Sequence, residues 1–331
     1  MCSIKGSNLP HGSSGEKSSM RLLQKIEEGR FIFTAELGPP KSSNGNVIKK
    51  KSKHFRDIVD GVNITDNQTA IVRLSSIASA KILLDEGLEP IVQMTCRDRN
   101  RLALQSDILG MAALEIENVL CLTGDHQRFG NHPEAKNVFD LDSIQLIATA
   151  KGLGEGYFLC GDPIKTPPTL CIGGAANPFA EPLEFRILRL EKKIRVGAHF
   201  IQTQPVFDLL RFERWMKLVR EAGLDKRVAI LAGVMPVKSA RALQYMEKEV
   251  PGMSIAKDIM QRMSKAGDAK EEGIKIAIET IRQLRTVKGI QGIHLMPLLW
   301  ESITPRIAEE SGLLDRKLQT TINHQAGGKN E

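Results

Sequence analysis

Aromatic residues make up only 5% of the 331 residues, with two Trp and two Tyr, and no apolar stretch approaches the roughly 20 residues that span a bilayer. A base-stacking surface for nucleic acid and a membrane-spanning helix are both unexpected on that account. Five cysteines are present and no two have the spacing of a zinc site. Cys121, Cys160 and Cys171 sit in or beside apolar runs where buried free thiols are usual, Cys96 lies just past one, and Cys2 lies in the first few residues. The chain also has no Gly-x-Ser-x-Gly elbow, no P-loop and no Gly-x-Gly-x-x-Gly after its first strand, which argues against a serine hydrolase, a P-loop NTPase and an open dinucleotide-binding sheet. Few His, Cys and acidic groups fall at strand ends, so no metal site is expected.

What is present is ordinary for a globular chain: 41% apolar and 26% charged residues, with a formal charge of +7. The basic excess is local, because residues 1–60 hold 11 Lys or Arg against 6 Asp or Glu. Lys49, Lys50, Lys51 and Lys53 have no aromatics between them and read as a solvated helix face rather than an anion patch. Residues 1–20 are rich in Ser, Gly and Lys with no apolar core, so they read as a flexible arm rather than a secretory signal, and a cytoplasmic protein is expected. Residues 316–331 read as a second flexible tail.

Eight short apolar runs recur at 31–35, 61–65, 90–94, 118–122, 169–173, 199–203, 227–232 and 290–295, with helix-length segments between most of them. The segment from Glu181 to Gly197 is the clearest helix. Leu183, Ile187, Leu190 and Ile194 recur at steps of four, three and four, with Pro182 in the first turn and Gly197 at the end. Others read as helices at about 74–86, 100–115, 141–151, 208–222, 237–249 and 270–288. Strand and helix alternating eight times predicts a single α/β domain over 21–315, a (β/α)8 TIM barrel of parallel strands with right-handed crossovers.

In such a barrel the carboxyl ends of the strands meet at one mouth, where active sites lie. Those ends carry Glu36, Thr65, Thr95, Thr123-Gly124-Asp125, Gly173-Gly174, Gln202 with Gln204, Met235-Pro236 and His294. Glu36 is followed by Leu37-Gly38-Pro39-Pro40, which cannot continue a strand, so a carboxylate is held at the rim. Carboxylates, hydroxyls, amides and glycines together suit a planar heteroaromatic ligand. Each also has a plainer structural use. Glu36 can cap or pair with a lysine, Asp125 can form an Asx turn, and Gln204 can bond loop backbone.

The ordered series Glu36-Leu37-Gly38-Pro39-Pro40-Lys41, Val62-Asn63-Ile64-Thr65, Gln93-Met94-Thr95-Cys96, Leu122-Thr123-Gly124-Asp125, Ala176-Asn177-Pro178-Phe179, Lys192-Lys193, Thr203-Gln204 and Gly233-Val234-Met235-Pro236 resembles the methylenetetrahydrofolate reductase family. The resemblance implies a flavin-containing barrel that reduces 5,10-methylenetetrahydrofolate to 5-methyltetrahydrofolate, or the reverse, in one-carbon metabolism and methionine biosynthesis. It implies FAD as cofactor. Glu36 falls at the family's general acid, which protonates N10 so that the ring opens to an iminium for hydride transfer from reduced flavin. Asp125 falls at an acid near both flavin and folate, and Gln204 at a substrate contact. Thr65, Thr95, Thr123, Gly124, Asp125, Gly173, Asn177 and Lys193 fall at flavin-contacting positions.

Physical chemistry agrees with those roles. A stacked, shielded site raises a carboxyl's pKa by desolvation, as a general acid near neutral pH requires, and a negative Asp125 beside a flavin disfavours its anionic reduced form. Arg186, Arg189 and Lys193 lie three and four residues apart, opposite the apolar stripe, where they meet either a pyrophosphate or simply solvent. Where better-known members carry a tail-binding arginine after the last strand, this chain has Trp300. The pattern resembles the one-carbon reductases of anaerobes, so the electron donor is NADH, NADPH or a partner subunit, in a homo-oligomer or hetero-complex. The alternatives are a non-redox pterin-binding barrel of the methyltransferase type, and a scaffold subunit of a one-carbon complex.

Overall fold

Eight strands form the centre: β1 (Ile32–Leu37), β2 (Gly61–Ile64), β3 (Pro90–Thr95), β4 (Asn118–Leu122), β5 (Cys171–Ala176), β6 (Phe200–Pro205), β7 (Ala229–Val234) and β8 (Gly292–Leu295). All neighbours are parallel and pair in chain order, and β8 closes onto β1 through Thr34 opposite His294. This is the (β/α)8 barrel that the alternation predicts. The computed structural model describes residues 21–250 and 252–315, so the expected arm over 1–20 and the tail over 316–331 lie outside the described residues.

The outer layer is helical. After α1 (Leu22–Glu27), which precedes the first strand, come α2 (Asn46–Ser52), α3 (Ser76–Asp85), α4 (Arg101–Ala113), α5 (Ser143–Gly154), α6 (Leu183–Arg195) and α7 (Leu209–Glu221), one behind each of β1 to β6. Three helices, α8 (Ala240–Glu249), α9 (Lys257–Lys265) and α10 (Ala269–Leu284), separate β7 from β8, and α11 (Thr304–Glu310) follows β8. Helix α6 buries Leu190 and Ile194 and packs Leu183 and Ile187 on the main core, which is the stripe its spacing predicts. Helix α5 begins at Asp142, whose carboxylate accepts from the Ile144 and Gln145 amides while Gln145 answers the Asp142 amide, a capping box. No helix among the described residues is long and apolar enough to cross a membrane.

Strand residues alternate between two environments. Phe33, Ala35 and Leu37 face the helices in the main core, whereas Ile32 joins Ile91, Leu120, Cys171, Phe200, Ala229 and Leu231 inside the barrel. Leu22 of α1 belongs to that interior cluster, with Leu23 and Ile26 against it, so α1 plugs the end of the barrel away from the mouth.

Three features differ from the sequence reading. Strand β5 runs from Cys171 to Ala176, starting two residues and ending three residues later than its apolar run over 169–173, because Gly173 and Gly174 pair on both sides with β4 and β6 and are drawn into the ladder despite weak strand propensity. Cys160 is exposed while Cys96, Cys121 and Cys171 are buried, since Cys160 lies in the loop between α5 and β5. Lys51 is not part of the solvated face of Lys49, Lys50 and Lys53. It turns inward, where its Nζ lies 2.6 Å from Glu301 Oε1.

Candidate active site

Inward-facing residues of one strand fall two apart, so β1 places Ile32, Thr34 and Glu36 on successive levels from the plugged end to the mouth. Glu36 lines a cavity of about 870 Å³ that opens at the mouth. Its carboxylate accepts a hydrogen bond from Gln93 Nε2 at 3.0 Å. Burial pushes the Glu36 pKa up to about 7; the Gln93 bond opposes that shift and the nearby Glu301 charge adds to it. The carboxyl group therefore keeps its proton close to neutral pH.

Immediately below lies a polar layer shared by four strands. Asn63 Nδ2 donates to Gln202 Oε1 at 2.7 Å, Gln202 Nε2 donates back to Asn63 Oδ1 at 3.0 Å and to Thr34 Oγ1 at 3.3 Å, and Thr34 Oγ1 lies 2.9 Å from His294 Nδ1. All four are buried, and burial lowers the His294 pKa to about 3, so its imidazole is neutral. Each of the four side chains finds at least one partner within the layer, as buried polar groups do.

One wall of the mouth is an ion network. Asp66 Oδ2 accepts from both the amide and the hydroxyl of Thr95 at 2.9 Å and pairs with Arg99 Nη1 at 2.7 Å. Buried Arg97 pairs with Asp98 and donates to the Asn67 and Asp125 carbonyls, which ties the loops after β2 and β4 together. Another part of the lining is apolar and rich in methionine, with Met235 from the loop after β7, Tyr245 and Met246 from α8, and Met253 from the segment between α8 and α9. Met side chains adapt to irregular or planar partners.

A second cavity of about 240 Å³ shares Leu122, Thr123, Ala175 and Gln204 with the first. Arg186, Arg189, Lys193 and Asn177 line it. Lys193 is only 9% exposed, its Nζ donates to the Ala175 carbonyl at 2.5 Å, and burial, helped by the charge of Arg189, pulls its pKa down to about 8. Arg186 bonds the Ala180 and Glu181 carbonyls, which leaves Arg189 as the less committed cation of the trio.

Of the residues the sequence singles out, Glu36, Thr95, Thr123, Gly124, Asp125 and Gln204 meet around the larger cavity, and Thr123, Asn177, Arg189, Lys193 and Gln204 around the smaller. Thr65 and Gly173 line neither. Thr65 Oγ1 is buried without a hydrogen-bond partner among the described residues. Gly173 sits mid-strand within the barrel, where a Cβ would lie 2.2 Å from the Phe200 ring, so its small size makes room for Phe200 rather than for a ligand at the mouth.

A family model described as methylenetetrahydrofolate reductase matches residues 21–312. The chain belongs to that family. It is similar to methylenetetrahydrofolate reductase 1 of Schizosaccharomyces pombe, at 24% identity over 93% of this chain and 50% of the relative. It is equally similar to methylenetetrahydrofolate reductase (NADH) 1 of Arabidopsis thaliana, at 24% identity over 89% of this chain and 51% of the relative. The chain spans about half the length of these curated relatives. Among solved structures, a protein of Clostridium thermocellum described as binding two copies of 5-methyl-5,6,7,8-tetrahydrofolic acid shares the fold, with a TM-score of 0.60 and 18% identity over 90% of this chain and 98% of that one.

Some contributors were not among the candidate site residues. Gln93 and Asn63 were visible as polar residues inside strand runs, a signal of inward placement, whereas Gln202 was already read at a strand end without a role of its own. Glu301 follows the last strand with no local mark of burial, yet it is 5% exposed and paired with Lys51. Beside it, Lys238 Nζ sits 5.4 Å from the Trp300 ring and donates to the Leu298 and Leu299 carbonyls. The position where an arginine is expected in this family is thus a platform for a lysine from the neighbouring loop.

Proposed function

We propose that this chain catalyses the flavin-dependent reduction of 5,10-methylenetetrahydrofolate to 5-methyltetrahydrofolate, or the reverse, with Glu36 as general acid and FAD as cofactor. The observation that carries the proposal is Glu36 itself, a carboxyl with a pKa of about 7 on the wall of an 870 Å³ cavity in a chain of this family. A general acid is most effective when its pKa lies near the working pH, and desolvation is the usual way to bring a glutamate there.

The residues present suit a flavin nucleotide. Two cavities with shared lining offer an apolar, Met-rich surface for a planar ring and a cationic end, with Arg189 and Asn177, for a pyrophosphate. FAD, when bound, supplies the hydride equivalent. The protein's own part is to hold and move a proton and to orient the pterin. Glu36 delivers its proton to N10 of the folate, and Gln93 fixes the carboxyl's orientation before and after transfer. Asp125 and Gln204, exposed on the cavity rim, offer an acceptor and an amide to the pterin edge. NADH, NADPH or an electron-transferring partner subunit reduces the flavin.

The test is spectroscopic. The purified full chain is expected to carry flavin bands or to take up FAD, and to be re-oxidised by 5,10-methylenetetrahydrofolate after anaerobic reduction. Titration with NADH and NADPH identifies the donor, and bleaching by neither points to a partner subunit. A colourless protein that cannot be reconstituted with FAD overturns the proposal in favour of the non-redox barrel.

A further inference from the structure

We infer that His294 is a fixed, neutral hydrogen-bond donor on the cavity floor, with Nδ1 accepting from Thr34 and its Nε2–H presented to an acceptor atom of the heteroaromatic ring bound beside Glu36. The inference starts from the buried layer. Gln202 Nε2 donates to Thr34 Oγ1, and His294 Nδ1, at 2.9 Å, is the one acceptor among the described residues that the hydroxyl's own hydrogen can meet, so the hydroxyl donates to Nδ1. A neutral imidazole whose Nδ1 accepts must carry its hydrogen on Nε2. His294 is 3% exposed, lines the cavity, and its Nε2 bonds to no described residue, nor is it among the shut-off polar atoms. That N–H therefore has the cavity as its outlet.

Position makes the donor useful. Thr34 is the register partner of His294 across β1 and β8, and Glu36 is the next inward residue above Thr34. The acid and the donor thus occupy consecutive levels of one corner. Burial orders their titrations in reverse of the usual sequence, with Glu36 near 7 and His294 near 3. In between, the site holds one transferable proton, on Glu36, and one N–H that polarises a ring nitrogen or carbonyl without giving its proton away, as neutral imidazoles do in other enzymes. Flavin and pterin rings both offer such acceptors.

Nitrogen-detected NMR of the full chain reads the tautomer directly, with His294 assigned by the signal lost in His294→Gln. The expected result is Nε2-protonated and neutral across pH 5 to 8; an Nδ1-protonated or charged ring overturns the inference. A second measurement compares dissociation constants of FAD and of 5-methyltetrahydrofolate for His294→Gln and His294→Asn, after checking that both variants melt cooperatively. Gln places an amide nitrogen near the former Nε2, and Asn near the former Nδ1. His294→Gln is expected to bind within about threefold of the native chain, and His294→Asn about tenfold more weakly, for whichever ligand meets the donor. Equal binding by the two variants for both ligands overturns the ligand half. That half rests on the proposed function. If the native chain binds neither compound, both fall together, while the tautomer still decides the donor.

Discussion

The two ends of the barrel interior are built from the same strands and do opposite things. At the plugged end, Ile32, Ile91, Leu120, Phe200 and Leu231 meet Leu22 of α1 in an apolar cluster. Two residues further along β1 the layer is Thr34, Asn63, Gln202 and His294, and two further again is Glu36. The lower level is packed by burial alone and tolerates no polar group without a partner, whereas the middle level is held by reciprocal hydrogen bonds. The lesson is that a barrel keeps an acid half-buried at its mouth because a closed network lies beneath it and a sealed apolar end beneath that.

The sharpest way to break the comparison is at the acid. Glu36→Gln is expected to lower folate reduction by about 10² to 10⁴-fold while leaving flavin reduction by the donor within a few-fold. Survival of folate turnover within a few-fold rules Glu36 out as the acid. The native rate should fall as pH rises past about 7, where Glu36 loses its proton. The stability consequence has a definite sign. The folded chain holds the Glu36 proton up to about 7 and the unfolded chain releases it near 4.5, so native stability declines as pH rises between these values. Glu36→Gln should thus gain stability relative to native at pH 8 and not at pH 4, by at most about 3 kcal/mol because the carboxyl faces an open cavity. Denaturant melts at the two pH values check this.

Next in size is the ion pair behind the acid. Lys51→Met leaves Glu301 buried and unpaired, with an expected loss of about 3 to 5 kcal/mol in unfolding free energy. It also strips the counter-charge from a carboxylate that already raises the Glu36 pKa, so the descending limb of the pH–rate profile should move to higher pH, and Glu301→Gln should move it lower. If both variants leave the limb where it was, Glu301 does not act on Glu36.

The plugged end supplies the control. Leu22→Ala is expected to cost about 2 to 5 kcal/mol while ligand affinity and the pH profile stay put. A change in either would mean that the two ends are not independent.

Much of this was legible in residue order. The eight apolar runs and the stripe of α6 follow from the twofold and 3.6-fold periods that burial imposes on strands and helices, and Gly38-Pro39-Pro40 marks where β1 must stop. Glu36, Thr123, Gly124, Asp125 and Gln204 follow from reading strand ends alone. The extent of β5 was not legible, because Gly173 and Gly174 are strand residues only by virtue of their neighbours. Neither was the fate of Lys51, which looks like Lys49 and Lys50 in sequence and differs only because Glu301 lies opposite.

Local pattern therefore settled the barrel and the rim on which the acid sits, since both depend on periodicity and turn chemistry within a few residues. Closure of the sheet settled the chemistry of that rim. Thr34 and His294 are 260 residues apart, Asn63 and Gln202 are 139 apart, and Lys51 and Glu301 are 250 apart. Their meeting fixes a neutral imidazole, a raised carboxyl and a buried pair, because desolvation and register are properties of the closed barrel and not of any segment in it.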